Sequence, residues 1–136
     1  MPYIDKLVMK KEMPKAFIMG PDTTYSPLFW DEEDVAIGYY DLFYIGDDEY
    51  STSSIVGLKD WFMQTDKYDP YTDIAEFTTD GMEDWINQGC EFAKQLRRMI
   101  PKDIEFYYGF WHQFGDGHWR WCKVFIANEN NAIIKK

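Results

Sequence analysis

Two runs of carboxylates are the residues of this sequence with the most evident chemical potential. One run spans residues 31–34 (DEED), and the other spans residues 47–49 (DDE). Neither has the alternating acids, central glycine and closing glutamate of a calcium-binding loop, so calcium binding is not predicted. The 12 residues from 35 to 46 are predicted to form one strand, which would be roughly 40 Å long if straight. The two runs would then lie at opposite ends of that strand, too far apart to form one metal site.

The two histidines and two cysteines are the other candidates for metal or nucleophilic chemistry. His112 and His118 flank a predicted hairpin turn and are expected to lie close together, with Asp116 as a conceivable third ligand. A transition-metal site normally needs three or four ligands, so a structural role is favoured for both histidines. Cys122 is expected to lie beyond hydrogen-bond distance of either histidine and to be a small buried residue. We therefore predict no catalytic residue, no metal and no cofactor.

Acidic residues are concentrated in the middle of the chain. The net charge is −10, and residues 21–84 hold 17 acidic residues against only Lys59 and Lys67. Solubility is one explanation, because a charge far from zero prevents association. A docking surface for a basic partner is the other, since such a surface speeds encounter and rejects wrong partners. Nucleic-acid binding is disfavoured by the same charge, because phosphates need cations.

Aromatic residues make up 19% of the chain and include 6 tryptophans and 10 tyrosines. Four tyrosines lie close to the acidic runs: Tyr39, Tyr40, Tyr44 and Tyr50. This combination suits a partner rich in lysine and arginine, because carboxylates pair with cations and aromatic rings stack on guanidinium planes. A second aromatic group, near the C-terminus, has the composition of a base-stacking platform, but the chain around it is too acidic for nucleic acid.

A long helix is predicted over residues 81–100, where apolar residues recur with the i, i+3, i+4 spacing of an amphipathic helix. Asp80 and Glu83 resemble a capping box at its start, and Pro101 would close it. A second, shorter helix is predicted within residues 53–65. The long helix therefore needs an apolar surface on which its buried side can pack.

A C-terminal β-hairpin over residues 103–127 is predicted to supply that surface. A loop with an odd number of residues and a left-handed Gly117 would place most tryptophans on the side away from the helix. A two-residue turn would instead move the tryptophans of the second strand to the helix-facing side. We favour the odd loop, because it places an aliphatic set opposite an aliphatic set. With further strands expected at 15–20, 35–46 and 71–79, the prediction is a single α+β domain, residues 1–136, with a mostly antiparallel sheet of about five strands.

Two hypotheses of function follow. The first is a small acidic cytoplasmic protein that binds and neutralises a basic protein, in a manner comparable to immunity proteins for nuclease-type toxins or nucleic-acid mimics. Its expected contact residues are Trp30, Asp31, Glu32, Glu33, Asp34, Tyr44, Asp47, Asp48, Glu49, Tyr50, Asp69 and Asp73. The alternative is a small-molecule-binding or enzymatic domain with an aromatic pocket. That pocket would be formed by Tyr108, Trp111, His112, His118 and Trp119.

Neither hypothesis includes a membrane, because no apolar run approaches the length of a membrane span. The sequence does not indicate an oligomeric state.

Overall fold

The computed structural model describes residues 14–23, 26–68, 81–114 and 117–128. Within these ranges, seven strands form one sheet in the order β5-β4-β3-β2-β1-β6-β7. The strands are β1 (Ala16–Met19), β2 (Phe29–Asp31), β3 (Ala36–Tyr39), β4 (Leu42–Ile45), β5 (Asp48–Ser51), β6 (Glu105–Gln113) and β7 (Trp119–Phe125). Strands β1 and β6 are parallel, and the other neighbouring pairs are antiparallel. The predicted α+β class with a mostly antiparallel sheet is therefore confirmed.

The number of strands was predicted wrongly, because the segment 35–46 is not one strand and because β2 and β5 were not predicted. It reverses at Tyr40-Asp41 to form the hairpin β3–β4, and the chain reverses again after Ile45. At that second turn Gly46 has a φ of 60°, a conformation that favours glycine. Strand β5 is polar and exposed at the edge of the sheet, which discourages edge-to-edge pairing with another molecule. For the same reason it has no hydrophobic pattern by which the sequence could predict it. The predicted strand at 71–79 lies outside the described residues.

The reversal also corrects the predicted separation of the two acidic runs. Because β3 and β4 are antiparallel neighbours, the β2–β3 turn with residues 31–34 and the β4–β5 turn with residues 46–47 lie at the same end of the sheet. With strands spaced by 4.7–4.9 Å, the two turns are about 10 Å apart. The runs therefore share one end of the molecule.

In the part of the chain that the structure describes, two α-helices precede β6, α1 (Leu58–Phe62) and α2 (Met82–Arg97), with a 3-10 helix (Thr65–Lys67) between them. Helix α2 is the helix predicted over 81–100, and the structure describes its start from Gly81 onward. Gly81 is the N-cap, in a left-handed conformation and without a side-chain cap hydrogen bond, and Asp80 lies outside the described residues. None of the helices in the described ranges combines the length and apolar composition needed to cross a membrane.

The C-terminal end of α2 is closed by the buried side chain of Arg97, which is 3% exposed. Its guanidinium donates hydrogen bonds to the carbonyl oxygens of Ile104 at 2.7 Å, Pro101 at 2.6 Å and Ile100 at 3.4 Å. Burial lowers the pKa of Arg97, while the nearby charge of Asp103 acts in the opposite direction. The cation thus satisfies carbonyl groups of the segment that follows the helix and ties this segment to the helix end.

The helices cover one side of the sheet, which we call the inner face. Four phenylalanines from different strands meet there, and the ring of Phe17 lies 4.9–5.6 Å from the rings of Phe29, Phe43 and Phe106. Tyr108, also on this face, donates a hydrogen bond from its hydroxyl to the carbonyl oxygen of Ile86 in α2 at 3.0 Å. The long helix is therefore fixed on the inner face of β6, as the amphipathic pattern predicts.

The hairpin β6–β7 has the register expected for an odd loop. Residues pair as Tyr108 with Val124 and Trp111 with Trp121, and Gly117 has a φ of 84°. The backbone N–H of Phe114 donates to the carbonyl oxygen of His118, which closes the hairpin. Because side chains alternate along a strand, Trp111 and Trp121 lie opposite to the helix-facing Tyr108. We call this side, on which no helix of the described residues packs, the outer face.

Candidate functional site

A groove of about 530 Å³ on the outer face of the sheet is the strongest candidate for a functional site. Strands β1, β2, β6 and β7 meet there, together with the loop after β1 and the β2–β3 turn. The lining consists of Ile18, Asp22, Trp30, Glu32, Asp34, Trp111, Trp121 and Lys123. The groove therefore combines three tryptophans with three carboxylates, drawn from parts of the chain about 100 residues apart.

Two of the tryptophans are held in place by their indole N–H groups. Trp30 donates to the carbonyl oxygen of Gly20 at 3.0 Å, and Trp111 donates to Oδ1 of Asp22 at 2.8 Å. A ring held at both its Cβ and its N–H loses little further freedom when a ligand packs against it. The hydrogen bonds therefore prepare both rings as fixed walls of the groove.

The third tryptophan lies over two glycines that provide the room for its ring. A Cβ atom at Gly109 would stand 2.5 Å from Cζ2 of Trp121, and a Cβ atom at Gly20 would stand 2.9 Å from the same atom. The ring of Trp121 meets that of Trp111 edge-on, with centroids 5.3 Å apart. Trp121 is nevertheless 38% exposed, so a large aromatic surface remains available at the mouth of the groove.

The charges around the groove are unequal. Asp22, Glu32 and Asp34 face a single cation among the described lining residues, Lys123. Oε1 of Glu32 accepts a hydrogen bond from the backbone N–H of Lys15 at 3.0 Å, which restrains this carboxylate near the rim. Nζ of Lys123 lies 5.2 Å from the centroid of Tyr107, within the range of a cation–π contact. The groove thus carries a net negative charge.

The predicted contact residue Asp31 has a different position from its neighbours in the acidic run. It is fully buried, and its Oδ1 accepts hydrogen bonds from the backbone N–H groups of Glu33 at 2.8 Å and Val35 at 2.9 Å. This is the turn-forming bond typical of aspartate, and it supports the left-handed Asp34, whose φ is 61°. Asp31 therefore shapes the turn and is removed from the contact surface, whereas Glu32, Glu33 and Asp34 are exposed.

The predicted contacts around the second acidic run are divided between the two faces. Asp47, Asp48 and Glu49 are exposed. Tyr44 donates a hydrogen bond to Oε1 of Glu49 at 3.2 Å, and desolvation together with this carboxylate raises the pKa of the Tyr44 phenol. Tyr50 instead stacks on the core ring of Phe43 at 5.1 Å. Asp69 and Asp73 lie outside the described residues.

The residues of the predicted aromatic pocket do not form one cavity. Tyr108 and His112 point to the inner face, whereas Trp111 and Trp119 point to the outer face. Tyr108 is fully buried, and burial raises the pKa of its phenol well above the ordinary value. His112 pairs with Arg120 in the sheet, so it does not face His118 directly. Trp111 is the member of this set that lines the groove.

The sequence analysis did not identify Asp22 and Lys123 as site residues. Asp22 follows Pro21 in a short loop and gives no local signal, since its importance comes from Trp111, 89 positions away. Trp121 and Lys123 were visible only as part of an aromatic hairpin. Periodicity indicates that such residues share a face, but not which neighbouring strand completes the site.

Within the described ranges, no group of three or more His, Cys, Asp or Glu side chains is placed to hold a metal ion. Cys90 and Cys122 are both free thiols. No protein family, curated protein or solved structure significantly matches this chain.

Proposed function

We propose that this chain binds and neutralises a basic protein through the outer face of its sheet. A nuclease-type toxin is the kind of partner that fits. The chain would then act in the manner of an immunity protein or a nucleic-acid mimic. The observation that carries the proposal is the groove in which Trp30, Trp111 and Trp121 stand beside three carboxylates. Tryptophan is among the residues that most often dominate binding energy at interfaces, and carboxylates beside it select a cationic counterpart.

The placement of the acidic turns supports the same interpretation. Glu32 and Asp34 line the groove, and the β4–β5 turn with Asp47 and Asp48 lies at the same end of the sheet. A partner seated on the groove would therefore also meet this second run. The negative field would accelerate encounter at low salt, and its reach would shrink to about 8–10 Å at physiological ionic strength. The cytoplasmic location expected from the sequence is part of the same proposal.

The mechanism would be steric and electrostatic. The carboxylates would occupy the cationic surface with which a nuclease holds phosphates, and the body of the sheet would block access of the nucleic acid. No chemical step is required of this chain.

Charge reversal tests the proposal. The association rate with a basic nuclease, such as the product of a neighbouring gene, would be measured at low and physiological salt for the unaltered protein and the double variant Glu32→Lys, Asp34→Lys. The double variant should associate at least about tenfold more slowly at low salt, because the steering field is reversed locally. A control variant, Glu83→Lys at an exposed position of α2, should change the rate far less. Equal effects of both variants would contradict a localised contact surface.

A small-molecule function is the second candidate, since a volume of about 530 Å³ lies within the range of ligand pockets. The two candidates differ in their response to the distant acidic turn. Reversal of Asp47 and Asp48 should weaken binding of a basic protein but leave binding of a small ligand in the groove unchanged.

A further inference from the structure

We propose that the groove is a receptor for an arginine side chain of the basic partner. This inference rests on the proposed function and names the group that enters the groove. It is carried by the chemistry of the lining, by the way the rings are held and by the position of Lys123.

The lining offers hydrogen-bond acceptors and few donors. The indole N–H groups of Trp30 and Trp111 are already bonded to Gly20 and Asp22, so both rings present mainly aromatic surface. The carboxylates of Asp22, Glu32 and Asp34 present acceptor oxygens. An occupant that matches this lining must bring donors and positive charge. The guanidinium group, with five donors and no acceptor, meets that requirement.

Aromatic walls beside carboxylates favour arginine over lysine. A planar guanidinium stacks on an indole while its edge pairs with a carboxylate, whereas a compact ammonium has neither a flat face to stack nor a planar fork to pair with a carboxylate. The guanidinium is also more weakly hydrated, so less free energy is lost when it leaves water. Trp111 and Trp121 meet edge-on at 5.3 Å, so their two ring planes offer differently oriented surfaces for such stacking.

Lys123 is the residue of the groove lining whose positive charge repels a cation. Its ammonium lies 5.2 Å from the ring centroid of Tyr107, at the edge of the groove that Trp121 also lines. An entering guanidinium would meet this like charge, which lowers affinity for every cationic occupant. Replacing Lys123 with glutamine should therefore strengthen binding of a cation, an effect that a merely structural role for the groove would not produce.

The test uses three blocked pentapeptides with the central residue arginine, lysine or citrulline between glycines. Their binding to the full chain is followed by tryptophan fluorescence and by the indole N–H signals in NMR spectra. The arginine peptide should bind saturably at millimolar concentration and about fivefold more tightly than the lysine peptide, and the uncharged citrulline peptide should not bind. Equal binding of the arginine and lysine peptides, or no saturable binding of either, overturns the assignment.

Matched variants locate the binding. Glu32→Gln in the groove should weaken arginine binding about threefold, whereas Glu83→Gln on α2 should leave it unchanged. Trp121→Ala should weaken it about tenfold, and Lys123→Gln should strengthen it. If Trp121→Ala did not fold, the exchanges at Glu32 and Lys123 would still decide the question, because both side chains are exposed. Unchanged arginine binding in the Glu32 and Lys123 variants would overturn the assignment.

The proposed function is judged separately by the charge reversal with the basic nuclease. A groove that fails to prefer arginine, combined with a strong effect of Glu32→Lys and Asp34→Lys on nuclease association, leaves the partner proposal standing and rejects the arginine receptor alone. Arginine binding without any effect of the reversal on nuclease association rejects the partner proposal.

Discussion

The two faces of the sheet use tryptophan in the same way but surround it differently. On the inner face, Trp61 of α1 and Trp85 of α2 stack at 4.8 Å, and each indole Nε1 donates to the other residue's carbonyl oxygen, at 2.7 and 2.9 Å. On the outer face, Trp30 and Trp111 also donate their N–H groups to oxygen atoms. The inner pair is 2% and 4% exposed, whereas the outer groove is open to solvent and flanked by carboxylates.

This difference shows that anchoring an indole N–H serves two ends. Where helices cover the ring, the hydrogen bond removes the cost of burying a polar group, and the apolar surface contributes to stability. Where no element of the described ranges covers the ring, the same bond fixes the orientation of an aromatic surface that stays accessible. The same type of amino-acid substitution should therefore change the stability of the protein by different amounts on the two faces.

Removing a tryptophan from each face should give the largest contrast. Trp61→Ala should lower the free energy of unfolding by about 4 kcal/mol, because it leaves a cavity and removes the partner of Trp85. Trp121→Ala should lower it by about 1 kcal/mol or less, since this ring is 38% exposed. Urea denaturation followed by circular dichroism measures both values. Similar losses would mean that the outer ring is part of the structural core.

Adding one methyl group to a glycine on each face should give a smaller contrast. At Gly89 of α2, a Cβ atom would stand 2.2 Å from the hydroxyl of Tyr108 and 2.4 Å from Cζ2 of Trp61, both fully enclosed. Gly89→Ala should destabilise by about 2 kcal/mol, after allowing for the better helix propensity of alanine.

Gly109→Ala creates a comparable overlap, 2.5 Å to Cζ2 of Trp121, but that exposed ring can move away. The loss of stability should be about 1 kcal/mol or less, while the indole N–H signal of Trp121 should shift in NMR spectra. A large loss of stability at Gly109, or none at Gly89, would contradict the assignment of the two faces.

The pH dependence of stability should also differ between two successive tyrosines of β6, one on each face. Burial, followed by the charge of Cys90, raises the pKa of Tyr108 well above the ordinary value of 10.0. At pH values above 10.0 but below the raised pKa, the Tyr108 phenol is deprotonated in the unfolded chain and protonated in the folded chain. The free energy of unfolding therefore falls as pH rises through this range. Tyr108→Phe should remove this part of the pH dependence.

The neighbouring Tyr107 provides the control on the outer face. Its hydrogen bond to Glu105 is the main cause that raises its pKa, with desolvation second. This residue is only partly buried and contributes much less, so Tyr107→Phe should alter the pH dependence only slightly. Denaturation midpoints between about pH 9 and 11 measure both slopes. Equal changes in the two variants would show that Tyr108 is not the group that burial protects.

The sequence predicted those elements whose pattern is local and strong. The amphipathic repeat located α2. Alternation, together with the preference for pairing an aliphatic set with an aliphatic set, predicted the register and the two faces of β6–β7, because both patterns lie within one short segment. Short or polar strands could not be predicted from the sequence. Strand β2 has 3 residues and β5 is acidic, so their pairing depends on neighbours that supply the hydrogen bonds and the apolar surface.

The sequence by itself determined that this chain is acidic, aromatic and of the α+β class, since composition and periodicity are sums over residues. Only the tertiary structure decided which acidic side chains are buried and which line the groove. Asp31 was turned inward by its own backbone hydrogen bonds, and Asp22 was brought to Trp111 across 89 positions. The groove arises where β1 lies beside both β2 and β6. The pairing of β1 with both β2 and β6 brings β2 and β6 together, although these two strands are far apart in the sequence. It depends on the packing of the whole sheet, so no local sequence pattern predicts it.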